Sequence, residues 1–190
     1  MTCSEHERKI NMNLPNKLTV FRIVLIPVFI ALFLYAGTTA GKAACIIIFA
    51  AASITDFADG HIARKYNLVS NFGKFADPLA DKMLVTAALI CLCFEGALNP
   101  WYAVIITFRE FMVTGIRILA VQDGIVIAAG KSGKLKTVVQ LFAVIAMLID
   151  RIAVIPGHVS FVLMTAAVIL TVYSGGEYLI KNISLFKDAK

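Results

Sequence analysis

Six apolar runs separated by short breaks occupy nearly the whole of this 190-residue chain. Stretches such as CIIIFAAAS, MLVTAALICLCF, WYAVIITF and VSFVLMTAAVILTVY leave too few polar positions for the wetted face of a soluble helix. Only 16% of the residues are charged, against about 25% in a water-soluble globule, and mean hydropathy is +0.84. The chain therefore reads as an all-α polytopic membrane protein. Six transmembrane helices are expected, at about 19–36, 43–64, 76–97, 100–121, 134–155 and 159–180, each near the length of about 20 residues that a bilayer requires. Residues 1–18 form an N-terminal juxtamembrane segment, 19–182 the membrane domain and 183–190 a cytoplasmic tail. The opening residues MTCSEHERKINMNLPNK mix acids and bases and lack the apolar stretch of a secretory signal.

The net charge of +6 fits attraction to anionic lipid better than nucleic-acid binding, for which the chain carries no signature. If both termini are cytoplasmic, nearly every lysine and arginine falls at an inner helix end. Only Lys42 and Arg151 fall at outer ends, and Arg109 lies within a span. This asymmetry orients the chain, which is expected in the cytoplasmic (inner) membrane with both termini on the cytoplasmic side. The four cysteines, Cys3, Cys45, Cys91 and Cys93, have neither disulfide-framework nor zinc-site spacing.

Against this apolar background, the segment DFADGHIARKYNLVSNFGKFADPLAD (residues 56–81) stands out. Asp56 and Asp59 share one helix face by their spacing of three, and Asp77 and Asp81 share another by their spacing of four. Apolar runs of similar length, Ala43–Thr55 and Met83–Phe94, would bring both pairs to the same depth on neighbouring antiparallel helices, facing the cytoplasm. Four bare carboxylates there would repel one another and cost several kcal/mol each. A bound divalent cation is the simplest compensation. An all-oxygen ligand set favours Mg²⁺ or Mn²⁺, and four acids suit two ions. Gly60, Ala63 and Gly73 are small where a backbone or ligand must come close, and Arg64 suits a phosphate oxygen. Neutralisation by Arg64, Lys65, Lys74 and Lys82 is the alternative, purely structural reading.

The pattern Asp56-x-x-Asp59-Gly60-x-x-Ala63-Arg64, eight residues, Gly73-x-x-x-Asp77-x-x-x-Asp81 resembles the signature of the CDP-alcohol phosphatidyltransferases. That resemblance implies a bundle of six membrane helices in which an alcohol displaces CMP from a CDP-linked lipid. It implies that Asp56, Asp59, Asp77 and Asp81 hold the metals, with Asp81 also the general base. It further implies that Asp59, Gly60, Ala63, Arg64 and Gly73 line the CDP site, and that the protein is a homodimer.

A second polar cluster bears on the acceptor. Arg109 and Arg117 are eight residues apart on roughly one helix face, and Glu110 beside them is expected to pair with a cation. Lys131, Lys134 and Lys136 open the fifth span, as flanking charges or as part of a basic pocket suited to a phosphate. The stretches RE-F-x-VTG-x-R and GK-x-KT, with Asn16, Thr19 and Arg22 at the entry to the first span, resemble the bacterial members of the family that use sn-glycerol 3-phosphate. By that resemblance the substrates are CDP-diacylglycerol and glycerol 3-phosphate, the products phosphatidylglycerophosphate and CMP. Arg109, Arg117 and Lys134 would then hold the acceptor phosphate. Sister transferases acting on serine, an inositol phosphate or phosphatidylglycerol would share the aspartates and differ in this second cluster. A divalent-cation transporter fits less well, because Arg64 would repel a passing cation.

Overall fold

The computed structural model describes the backbone of residues 14–65, 71–122, 127, 130–152 and 157–183, and the side chains of 19–55, 79, 80, 82–120, 127, 130–152 and 158–183. All secondary structure among the described residues is helical. The elements are α1 (Leu14–Tyr35), α2 (Thr39–Lys65), α3 (Asn71–Phe94), α4 (Pro100–Gln122), α5 (Lys131–Asp150) and α6 (Gly157–Lys181). Each expected span corresponds to one helix. Helices α1 and α3 begin ahead of their apolar runs, and α5 ends at Asp150 instead of near 155. Helix is the form such runs must take where hydrocarbon offers the backbone no hydrogen-bond partner.

The breaks are chemically specified. Gly96 closes α3 with φ +78°. Its N–H donates to the Cys93 carbonyl at 3.0 Å, and that of Ala97 donates to Leu92 at 3.0 Å. This left-handed glycine cap leaves the last carbonyls satisfied. Asn99 then caps α4, its Oδ1 accepting from the Trp101 N–H at 3.0 Å. Pro100 occupies the first helical position, where a missing N–H costs nothing.

Helix α1 packs against both α2 and α3, α5 against α6, and α4 against α3 and α6; α2 also touches α3 and α5. Phe29 lies between Phe33 and Phe49, with centroids 6.1 and 5.8 Å away. Around them the interior is filled by Leu84, Leu89, Leu92, Val144, Leu148 and Met164. Polarity is inverted relative to a soluble bundle. Arg22, Lys136, Gln140, Thr171 and Ser174 are buried, whereas Ile47, Ile90, Phe108 and Ile169 are each at least 60% exposed. An outer surface of this kind belongs in lipid. Helices α5 and α6 are long and apolar enough to cross a bilayer as they stand, while α1, α2 and α3 hold shorter apolar stretches at 19–35, 39–55 and 82–94.

One end of the bundle is cross-linked by charge. Arg151 pairs with Glu95 at 2.7 Å, donates to the Phe33 carbonyl at 3.1 Å and lies over the Phe33 ring at 3.6 Å. Lys42 donates to the Arg151 carbonyl at 3.0 Å. The two cations expected at outer ends thus meet in one cluster that joins α1, α2 and α3 to the end of α5. Replacing Arg151 with Ala should destabilise the protein by about 2 kcal/mol, the scale of one charge-assisted hydrogen bond with a ring contact. Thermal unfolding of the detergent-solubilised chain measures this, and an unchanged midpoint refutes the role.

Candidate functional site

The carboxylate segments fall on two helices that touch. Asp56 and Asp59 belong to the C-terminal part of α2, Asp77 and Asp81 to the N-terminal half of α3. Their side chains lie outside the described residues, as do those of Gly60, Ala63, Arg64 and Gly73. The nearest described positions bring the site into view. Ser53, three residues before Asp56, donates to the Phe49 carbonyl at 2.8 Å. Lys82 directly follows Asp81.

Ser53 and Lys82 both line a cavity of about 360 Å³ that α4 and α5 complete, within the range of small-ligand pockets. Its charge is lopsided. Lys82, Arg109, Arg117, Lys134 and Lys136 line it, with Glu110 the one acid among the described lining residues. Such a wall favours an anion carrying more than one charge. The three residues expected to hold an acceptor phosphate, Arg109, Arg117 and Lys134, are therefore brought to one cavity.

Glu110 organises this wall. One carboxylate oxygen pairs with Lys82 at 3.2 Å; the other accepts from Arg109 Nη1 at 3.1 Å and from Lys136 Nζ. The expectation that Glu110 pairs with a cation holds three times over. Arg109 reaches across to α6, where its Nη2 donates to Ser174 Oγ at 3.1 Å. Arg117 lies over the ring of Tyr178, 5.6 Å from its centroid. Lys134 is exposed and free to meet a ligand, whereas Lys136 is only 1% exposed.

Lys82 and Lys136 line the cavity although the sequence singles out neither: Lys82 reads there as a counter-charge to the aspartates, and Lys136 as a flanking charge or one lysine of a basic pocket. A signal for Lys136 was present. It falls in phase with Gln140, Ala143 and Met147, the buried stripe of α5, while Leu135, Val138 and Phe142 form the exposed one. A lysine on the buried stripe of an apolar helix needs a counter-charge. Ser174 had no such signal, because it meets Arg109 only through the packing of α6 on α4.

Residues 12–173 match the family model of the CDP-alcohol phosphatidyltransferases. The chain is similar to the CDP-diacylglycerol–glycerol-3-phosphate 3-phosphatidyltransferase of Bacillus subtilis (strain 168), with 42% identity over 190 residues covering 93% of this chain and 98% of that protein. Two proteins of the same name are also similar. That of Rickettsia prowazekii (strain Madrid E) is 38% identical, covering 90% of this chain and 95% of its own. That of Shigella flexneri serotype 5b (strain 8401) is 36% identical, covering 88% and 93%.

Removing the Glu110 carboxylate leaves buried Lys136 without its counter-ion, which typically costs about 3–5 kcal/mol. Glu110→Ala should accordingly lower the thermal midpoint sharply, and Lys136→Met added to it should restore much of the loss. A double variant no more stable than Glu110→Ala alone contradicts the pairing.

Proposed function

Because the chain belongs to the CDP-alcohol phosphatidyltransferase family, we propose that it transfers the phosphatidyl group of CDP-diacylglycerol to glycerol 3-phosphate. The products are phosphatidylglycerophosphate and CMP. The observation that carries the choice of acceptor is the cation-lined cavity, in which Arg109, Arg117 and Lys134 meet beside the helix segments bearing the aspartates. Serine offers no phosphate to such a wall; glycerol 3-phosphate does.

The donor set fits a divalent cation. Asp56, Asp59, Asp77 and Asp81 supply hard oxygen ligands from two contacting helices, suited to two Mg²⁺ or Mn²⁺ ions. When bound, such ions offset the diphosphate charge and stabilise departing CMP. Gly60, Ala63, Arg64 and Gly73, with Asp59, line the CDP site. Asp81 takes the proton from the acceptor hydroxyl as its oxygen bonds to the phosphatidyl phosphorus. The phosphorus–oxygen bond to CMP breaks, and CMP leaves with the electron pair. Arg109, Arg117 and Lys134 hold the acceptor phosphate so that the hydroxyl points toward Asp81. Continuity along the helices supports this division of labour: Lys82 of the cavity follows Asp81, and Ser53 precedes Asp56 by one turn.

The chain is integral to the membrane. We place the active site and both termini on the cytoplasmic side, from the distribution of lysine and arginine. The membrane domain spans 19–182, between the 1–18 juxtamembrane segment and the 183–190 tail, and the assembly is a homodimer.

Purified chain supplied with CDP-diacylglycerol and Mg²⁺ should release CMP with glycerol 3-phosphate and not with serine or an inositol phosphate. Absence of CMP with glycerol 3-phosphate overturns the acceptor. Asp81→Asn should lower kcat by about 100-fold or more while CDP-lipid still binds, whereas Asp56→Ala should lose metal and nucleotide together. Arg109→Ala should raise the KM for glycerol 3-phosphate by roughly 10- to 100-fold, as expected for a lost charge-assisted contact. Full activity in these variants contradicts the assigned roles.

A further inference from the structure

The acceptor-site cations are held from behind by a segment that lines no part of the cavity. Ser174, Gly175, Glu177 and Tyr178 lie in the last turns of α6, just past residue 173, where the family match ends. Ser174, 2% exposed, receives Arg109 Nη2 and donates onward to the Thr171 carbonyl at 3.3 Å. Gly175 lies beneath the same arginine, and a Cβ there would stand 3.0 Å from Arg109 Cγ. At its neighbour Gly176, a Cβ would meet nothing within 4 Å. Tyr178 places its ring against Arg117, and its buried hydroxyl has no hydrogen-bond partner among the described residues. Glu177 accepts from Ser132 Oγ at 2.5 Å, which ties α6 to the start of α5 just ahead of Lys134.

Four residues of one helical stretch thus reach each of the three cations assigned to the acceptor phosphate, two directly by contact and one through its helix. We propose that Ser174–Tyr178 is a positioning platform that sets affinity for the acceptor phosphate without touching either substrate. The proposal rests on the reading of Arg109, Arg117 and Lys134 as the acceptor site. A guanidinium on a long, flexible stem binds a phosphate well only if its orientation is fixed beforehand, because ordering it on binding costs affinity. Ser174 and Glu110 fix the Arg109 fork from two sides, and Gly175 provides the room for its stem. The ring, not the hydroxyl, is what Tyr178 contributes.

The test is steady-state kinetics of the full-length purified chain with CDP-diacylglycerol and glycerol 3-phosphate varied separately. Ser174→Ala and Tyr178→Leu should each raise the KM for glycerol 3-phosphate about fivefold, as expected for one lost hydrogen bond or cation–π contact. Gly175→Ala should shift it in the same direction. The KM for CDP-diacylglycerol and kcat should stay within about twofold of the parent. Tyr178→Phe, which keeps the ring, should restore the parental acceptor KM, and Gly176→Ala should leave it unmoved. If Tyr178→Phe is as impaired as Tyr178→Leu, or if both KM values and kcat move together, the platform is refuted while the functional reading stands. If the parent chain releases no CMP with glycerol 3-phosphate, the functional reading falls and takes this inference with it.

Discussion

The carboxylate of Glu110 faces Lys82 of α3, Arg109 of its own helix and Lys136 of α5 at once. In a medium of low dielectric, none of these charges is tolerable alone, and each pairing is far stronger than in water. The consequence is structural before it is chemical. Three helices are obliged to converge at one depth, and the cavity beside Glu110 is the space their side chains leave. Because cations outnumber the acid, the convergence also leaves a surplus of positive charge facing that space. A polar site in an apolar bundle needs such a hub, since apolar packing alone has no means to orient charged groups.

The rest of the molecule is arranged around keeping that hub dry on its outer sides. Large aliphatic and aromatic residues cover the exterior, and the interior is filled with phenylalanine, leucine and small residues. Helix α6 has a double part. Its lipid-facing side carries Ile169, Val172 and Tyr173, and its inner side carries Thr171, Ser174 and Tyr178. In the middle of α6 the buried hydroxyls of Thr171 and Ser174 thus lie on the inner face.

Much of this was legible beforehand because it is encoded locally. Apolar run length specifies a helix, and Gly96 and Asn99–Pro100 specify a turn. The spacing of eight between Arg109 and Arg117 specifies one face of α4, and both line the cavity. What escaped was encoded between helices. The Arg109–Ser174 contact joins residues 65 apart, and the choice of Lys136 over its neighbours as the buried lysine depends on how α5 is rotated against α4. Hydropathy treats Lys131, Lys134 and Lys136 alike. Only the phase of the buried stripe separates the one inside from the others.

The opposite end of the bundle carries the Arg151, Glu95 and Lys42 cluster over the Phe33 ring, backed by Phe29, Phe49, Leu92 and Leu148 packed without exposure. Among the described residues, this end of the bundle is stoppered by apolar packing. A charge drawn into the cationic chamber meets no polar partner in that layer, so several charges can be sunk in the membrane interior without giving an ion a stepping stone through this packing.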